Sequence, residues 1–169
     1  MEKKSRGSIK GFLIFIVCAI ALVLLDQCTK IVAVSNLKGK KSLVLIDGVL
    51  EFFYLENTGT AWGLMSGART LFIILTVVIM AVLCYAVIKM PLTKRMLPLR
   101  VICTVMAAGA VGNFIDRLVL GYVRDFIYFS LIDFPIFNVA DIYVTLSLIG
   151  FAIVIFFVYK EEEFKFLKV

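Results

Sequence analysis

The chain has 169 residues, 62% of them hydrophobic, and a mean hydropathy of +1.04. Ordinary soluble domains are roughly 45–50% apolar, so these values exclude a soluble core and imply one small integral membrane domain. The net charge of +6 comes with no histidine. That excludes Ser-His and Cys-His nucleophile pairs and His-containing zinc motifs. No basic stripe with interleaved aromatics is present, so the charge reads as topology and headgroup contact, not as nucleic-acid binding.

The first apolar stretch runs over about 9–25, behind Lys3, Lys4, Arg6 and Lys10. Such a flank resembles a secretory signal. Asp26 and Gln27 stand where a cleavage site would need small residues, so the stretch is read as a retained spanning helix. Asp26 and Lys30 are four apart at its outer end, and an i,i+4 ion pair is a sufficient explanation for both.

An outer segment follows, over about 27–69. Within it, residues 43–55 read as two short strands around an Asp47-Gly48 turn, a small sheet on the membrane surface. Asn57-Thr-Gly-Thr-Ala-Trp-Gly63 reads as a turn, with Gly59 and Gly63 permitting unusual backbone angles, and Trp62 as an interfacial anchor.

The second and third spans cover about 71–88 and 97–115, and the fourth about 142–159. Each is near the roughly 20 residues a bilayer needs, and backbone in lipid must be helical. Gly109 and Gly112, among Ala107, Ala108 and Ala110, suggest close helix packing. The short basic loop with Lys89, Lys94, Arg95 and Arg100 tips the Lys/Arg balance towards both termini inside. Glu161-Glu-Glu163 reads as a solvated helix end. The cysteines, Cys18, Cys28, Cys84 and Cys103, read as small buried apolar residues, with no disulfide framework or metal site. The fold class is thus membrane all-α with a small β element, four helices in a single domain over 1–169.

The second outer segment, about 116–140, separates two aspartates. Asp125 follows span three and Asp141 begins span four, so both fall on the same outer face. If the intervening loop folds back, the two meet, share a proton and can activate water beside a polarised carbonyl. The competing reading is two independent helix caps, since Asp is a good N-cap; spacing does not decide between them. Asn113 and Asp116 are three apart, as are Asn138 and Asp141, so the asparagines could orient the carboxylates or bond substrate backbone. Arg117 could pair with Asp116 or with an anionic substrate group. Asp47 and Asp133 read as turn residues.

Five segments in order resemble the lipoprotein signal peptidase family, also called signal peptidase II. They are Asp26-Gln-Cys-Thr-Lys30, Asn57-Thr-Gly-Thr-Ala-Trp-Gly63, Gly112-Asn-Phe-Ile-Asp-Arg117, Val123-Arg-Asp-Phe126 and Phe137-Asn-Val-Ala-Asp141. The resemblance implies a bacterial membrane aspartic endopeptidase that cuts signal peptides from diacylglyceryl-modified prolipoproteins, just before the lipid-modified cysteine. It implies Asp125 and Asp141 as the catalytic pair, and Asn57, Asn113, Arg117 and Asn138 as residues lining the substrate site. Asp26, Lys30, Gly59 and Asp116 carry over as supporting residues. It further implies no cofactor or metal, a monomer among membrane phospholipids, and a site near the outer leaflet of the cytoplasmic membrane. Arg124 stands where the family more often has an apolar residue, and is expected to point towards headgroups.

Two other classes compete. A small ion-coupled transporter would favour acids in mid-span, whereas Asp26, Asp47, Asp116, Asp125, Asp133 and Asp141 all read as lying at or outside span ends. A structural membrane subunit would use its polar residues only to hold helices together.

Overall fold

The computed structural model describes residues 9–59 and 69–167. The helices are α1 (Ile9–Leu37), α2 (Arg69–Lys89), α3 (Leu97–Val119) and α4 (Val139–Ile153). A π-turn over Val154–Val158 continues α4, and a 3-10 helix covers Glu161–Leu167. All four helices are long and apolar enough to cross a bilayer. Large apolar side chains cover the bundle's outside, among them Leu13, Val17, Val82, Phe156 and Phe157. Lipid is the solvent that such a surface requires.

α3 is the central element, packed on α1, α2 and α4. Its small residues make this possible. A Cβ on Gly109 would lie 2.6 Å from the Ala140 carbonyl oxygen, and one on Gly112 would lie 2.5 Å from an oxygen of Asp26. Both glycines therefore serve the close packing expected of them. The main apolar core lies towards the other end of the bundle, around Phe15, Val87, Met90, Cys103, Ala107 and Tyr159.

α1 extends twelve residues past the end expected for span one at residue 25. The charge of Asp26 looked like a boundary. Instead Asp26 and Lys30 are fully buried and paired at 2.9 Å, and Gly11, Phe15, Asp26, Lys30, Ala33 and Leu37 form one inward stripe. At about 1.5 Å per residue, 29 residues exceed the roughly 30 Å hydrocarbon layer. The last turns of α1 therefore support a second, small core of Ala33, Leu37 and Phe126 under the sheet.

That sheet has three antiparallel strands in the order β1 (Leu43–Ile46), β2 (Leu50–Asn57) and β3 (Val123–Tyr128). The expected hairpin around Asp47-Gly48 is present. The third strand was not expected, and Asp125 lies on it, opposite Leu55. Gly121, at φ 87°, makes the turn from α3 into β3. The chain then doubles back, and a bridge between Ile127 and Phe137 places Asn138 at the start of α4.

Other expectations shift in detail. Cys18 and Cys28 lie on the exposed, lipid-side surface and only Cys103 is fully buried; all four are free thiols. Glu163 is not simply solvated but pairs with Arg95 at 2.7 Å. Asp133 is a turn residue with φ 48°. Trp62 and Gly63 lie outside the described residues, as do Lys3, Lys4 and Arg6.

Substituting alanine at Gly112 or Gly109 should destabilise the fold by roughly 1–3 kcal/mol, through overpacking of α3 against α1 and α4. Thermal unfolding in detergent should show the loss; melting points unchanged from the parent would contradict this packing.

Candidate functional site

The site forms where α3 ends, β3 crosses and α4 begins. A cavity of about 620 Å³ is lined there by Asn57, Gly59, Asn113, Arg117, Asp125 and Asp141, with walls that include Phe129, Phe134, Ile136, Ile142 and Leu146. Asp125 and Asp141 are the acids among its lining residues, so the loop does bring them to one place. The capping alternative is met in part. Asn138 is the N-cap of α4, and Asp141, three residues on, completes a capping box with it. Asp125 caps nothing, because it is in a strand.

Three asparagine amides orient the pair, and each is itself held by an independent contact. Asn57 accepts from the Gly59 N–H at 2.9 Å through Oδ1, which turns its Nδ2 to Asp125 Oδ2 at 2.8 Å. Asn138 accepts from the Asp141 N–H at 3.1 Å, which turns its Nδ2 to Asp125 Oδ1 at 2.6 Å. Asn113 accepts from Lys30 Nζ at 3.0 Å and from Asn138 Nδ2 at 3.1 Å. Its own Nδ2 then donates to Asp141 Oδ1 at 2.7 Å. The second oxygen of Asp141 accepts from the Asn138 backbone N–H at 3.0 Å.

Behind these amides lies a buried ionic network. Lys30 Nζ meets Asp26 at 2.9 Å and Asp116 at 3.5 Å, all three with fully buried side chains. Asp26 also accepts the Ala140 N–H at 2.9 Å. Asp26 thus lies within α1 and Asp116 in the last turn of α3, and both are ion-paired.

Arg124 does not reach headgroups, and it does not face the aspartate pair. Its guanidinium donates to Asp116 at 2.6 Å and to Gln27 at 2.7 Å. Asp116 holds it above the usual guanidinium range. With Asp116 so engaged, Arg117 turns to the cavity instead, its guanidinium 4.6 Å from the Phe72 ring centroid. The network partners missed in the sequence are Gln27 and Arg124. A glutamine inside an apolar helix was the available signal. Among the described residues, no group of three or more His, Cys, Asp or Glu side chains is placed to hold a metal.

Fold and site together define a small integral membrane protein with paired carboxylates in a part-apolar cavity at one end of a four-helix bundle. The family described as "Signal peptidase (SPase) II" matches residues 18–157. A lipoprotein signal peptidase of Streptococcus thermophilus is 37% identical over 147 residues, which cover 87% of this chain and 93% of the relative. Those of Enterococcus faecalis and Staphylococcus aureus are 41% and 39% identical, over 75% and 79% of this chain and 77% and 82% of the relatives. Two solved structures, each described as a bacterial membrane enzyme determined by the in meso method, superpose with TM-scores of 0.75 and 0.74. Both are 35% identical; they cover 89% and 90% of this chain, and this chain covers 91% and 97% of theirs. The chain belongs to the signal peptidase II family of aspartic peptidases, the lipoprotein signal peptidases, and is a bacterial integral membrane protein.

Burial, reinforced by the nearby charge of Asp141, raises the Asp125 carboxyl from 3.8 to about 7. The folded protein therefore holds this proton over a pH range in which the unfolded chain has lost it. The linked stability is present at low pH and falls as pH rises from about 4 to about 7. Relative to Asp125→Asn, wild type should lose up to about 1.4 kcal/mol per pH unit in that window. Parallel stability–pH curves for the two proteins, from denaturation in detergent, would refute the buried-proton assignment.

Proposed function

We propose that the protein removes signal peptides from diacylglyceryl-modified prolipoproteins, cutting just before the lipid-modified cysteine, with Asp125 and Asp141 as the catalytic pair. The observation that carries this reading is a single cavity whose two acids are oriented by neutral amides and surrounded by apolar walls. One proton is shared by the pair. The ionised member takes a proton from a water molecule, and the water oxygen attacks the scissile carbonyl carbon. The protonated member donates to the carbonyl oxygen as it becomes tetrahedral. Collapse then breaks the C–N bond, and the departing nitrogen receives a proton from the pair. No metal or cofactor takes part.

Asn57, Asn113 and Arg117 line the path of the substrate, while Asn138, expected to line it too, is fully buried and aims at Asp125 from behind; Asp26, Lys30, Gly59 and Asp116 support them. A smaller cavity of about 240 Å³ reaches Asp141 from between α2, α3 and α4, past Phe72, Leu75 and Ile79. Such apolar walls suit an apolar signal peptide. Anchoring of enzyme and substrate in one leaflet raises their effective concentration. The reading places both termini in the cytoplasm, the site near the outer leaflet, and the whole chain as one monomeric peptidase domain among phospholipids. The β1–β2 hairpin holds the extended stretch of substrate.

A transporter is disfavoured because the acids buried within the helices, Asp26 and Asp116, are each tied to a cation. A purely structural subunit would tolerate neutral substitutions at the pair.

Purified protein in detergent with a diacylglyceryl-modified prolipoprotein should release the signal peptide. Asp125→Asn and Asp141→Asn should each cut the rate by roughly 1000-fold or more with the fold retained. Near wild-type release by both variants would sink the assignment. EDTA should leave the rate unchanged, and deleting 43–55 should impair cleavage more than membrane insertion.

A further inference from the structure

β3 sends neighbouring side chains to different partners. Asp125 goes to the cavity, while Arg124 goes into the interior between α1 and α3. Three bonds join Arg124 to Asp116: Nη2 to Oδ1 at 2.6 Å, Nε to Oδ2 at 3.1 Å, and the Arg124 backbone N–H to Oδ2 at 3.0 Å. A fourth, from Nη2, reaches Gln27 Oε1 at 2.7 Å. A planar fork can bond both carboxylate oxygens through parallel bonds from two nitrogens, a geometry that the single nitrogen of an ammonium lacks.

We infer that Arg124 is a positioning residue for the reaction: by taking up both oxygens and the charge of Asp116, it leaves Lys30 to hold Asn113 and fixes the charge around the aspartate pair. This rests on the reading of Asp125 and Asp141 as catalytic.

The distances in the network support the division of labour. Lys30 lies 2.9 Å from Asp26 and 3.0 Å from Asn113, but 3.5 Å from Asp116. Its weakest contact is with the acid that Arg124 neutralises. Without Arg124, Asp116 would depend on Lys30, and Lys30 would be drawn from Asn113 Oδ1. That oxygen would keep only Asn138 Nδ2, so Asn113, one of the three amides that aim at the pair, would lose its charged anchor.

Charge gives the same result. Asp26 and Lys30 face the region from α1, Asp116 and Arg117 from α3, Arg124 from β3, and Asp141 and Tyr143 from α4. On β2, Tyr54 and Glu56 are engaged with one another, and Glu56 also with Lys38. The pairs Asp26–Lys30 and Asp116–Arg124 sum to zero. Loss of the Arg124 charge leaves one net negative charge beside the aspartate pair, which makes each of its deprotonations harder. The pH window with one proton on the pair then moves upward.

The test is the pH dependence of kcat/KM for the full-length protein in detergent on a diacylglyceryl-modified prolipoprotein. Arg124→Gln should move both limbs to higher pH by roughly half a unit or more. Arg124→Gln with Asp116→Asn removes one charge of each sign and should return the limbs to their wild-type positions. Arg124→Lys keeps the charge without the fork, and should lower kcat with the limbs in place. Unmoved limbs in Arg124→Gln, with only the amplitude reduced, would overturn the proposal and leave a fold-supporting residue. If Arg124→Gln does not stay folded, the other two variants decide: limbs displaced in either would overturn it. Activity retained by both Asp→Asn variants of the pair would instead defeat the catalytic reading itself.

Discussion

The structure depends on one buried ammonium group. Lys30 has no exposed surface, on a helix whose opposite face meets lipid. Taking such an ion from water costs several kcal/mol even after relaxation, and the cost is offset only by well-placed partners. Lys30 has three, Asp26, Asn113 and Asp116. Two of them are on α3, so satisfying the charge sets the register of α1 against α3 to within a hydrogen-bond length. Asp26 has a second oxygen, and it accepts the N–H of Ala140 in the first turn of α4, one of the donors that a helix start leaves unpaired. Three helices are thereby fixed at one level of the bundle. Gly112 is what lets Asp26 approach.

The geometry around Asp125 and Asp141 follows from that lock. An asparagine amide has a donor end and an acceptor end, and the useful end faces a carboxylate only if something else holds the other. Lys30 does this for Asn113, the first turn of α4 does it for Asn138, and the Gly59 N–H does it for Asn57. The donors are thus preorganised before any substrate arrives, the condition under which they help a reaction most. The cost falls on Asp125, buried among them and holding its proton to about 7.

Much of this was legible in the residues, and the parts that were not have a common cause. The four spans and the hairpin could be read from apolar runs and a turn signal, because these depend on neighbours in sequence. The end of α1 could not, because Asp26 looks like a boundary until its charge is seen to be cancelled by Lys30 and α3. β3 was missed for the same reason. Val-Arg-Asp-Phe-Ile-Tyr puts two charges side by side in a short segment, which reads as loop. Each charge has a distant partner: Arg124 reaches Gln27 across 97 positions, and Asp125 reaches Asn57 across 68. The aspartates could not be ranked by spacing, and their ranking rests on the ordered motifs. The place of Arg124 was not readable from either source.

Four buried or part-buried aspartates lie within this one end of the bundle, and their partners divide them into two kinds. Asp26 and Asp116 are each within ion-pair distance of a cation. Among the described residues, Asp125 and Asp141 have no cation within that distance; side-chain amides and backbone N–H groups bond them instead. A cation fixes a carboxylate in place and also strips its proton. A neutral amide fixes it almost as well and leaves the proton affinity to burial and to the neighbouring acid. The first arrangement suits an acid that must hold helices together. The second suits an acid that must gain and lose a proton near neutral pH. The choice between a cation and a neutral amide as partner, and not the aspartates themselves, is what separates the two kinds of carboxylate in this protein.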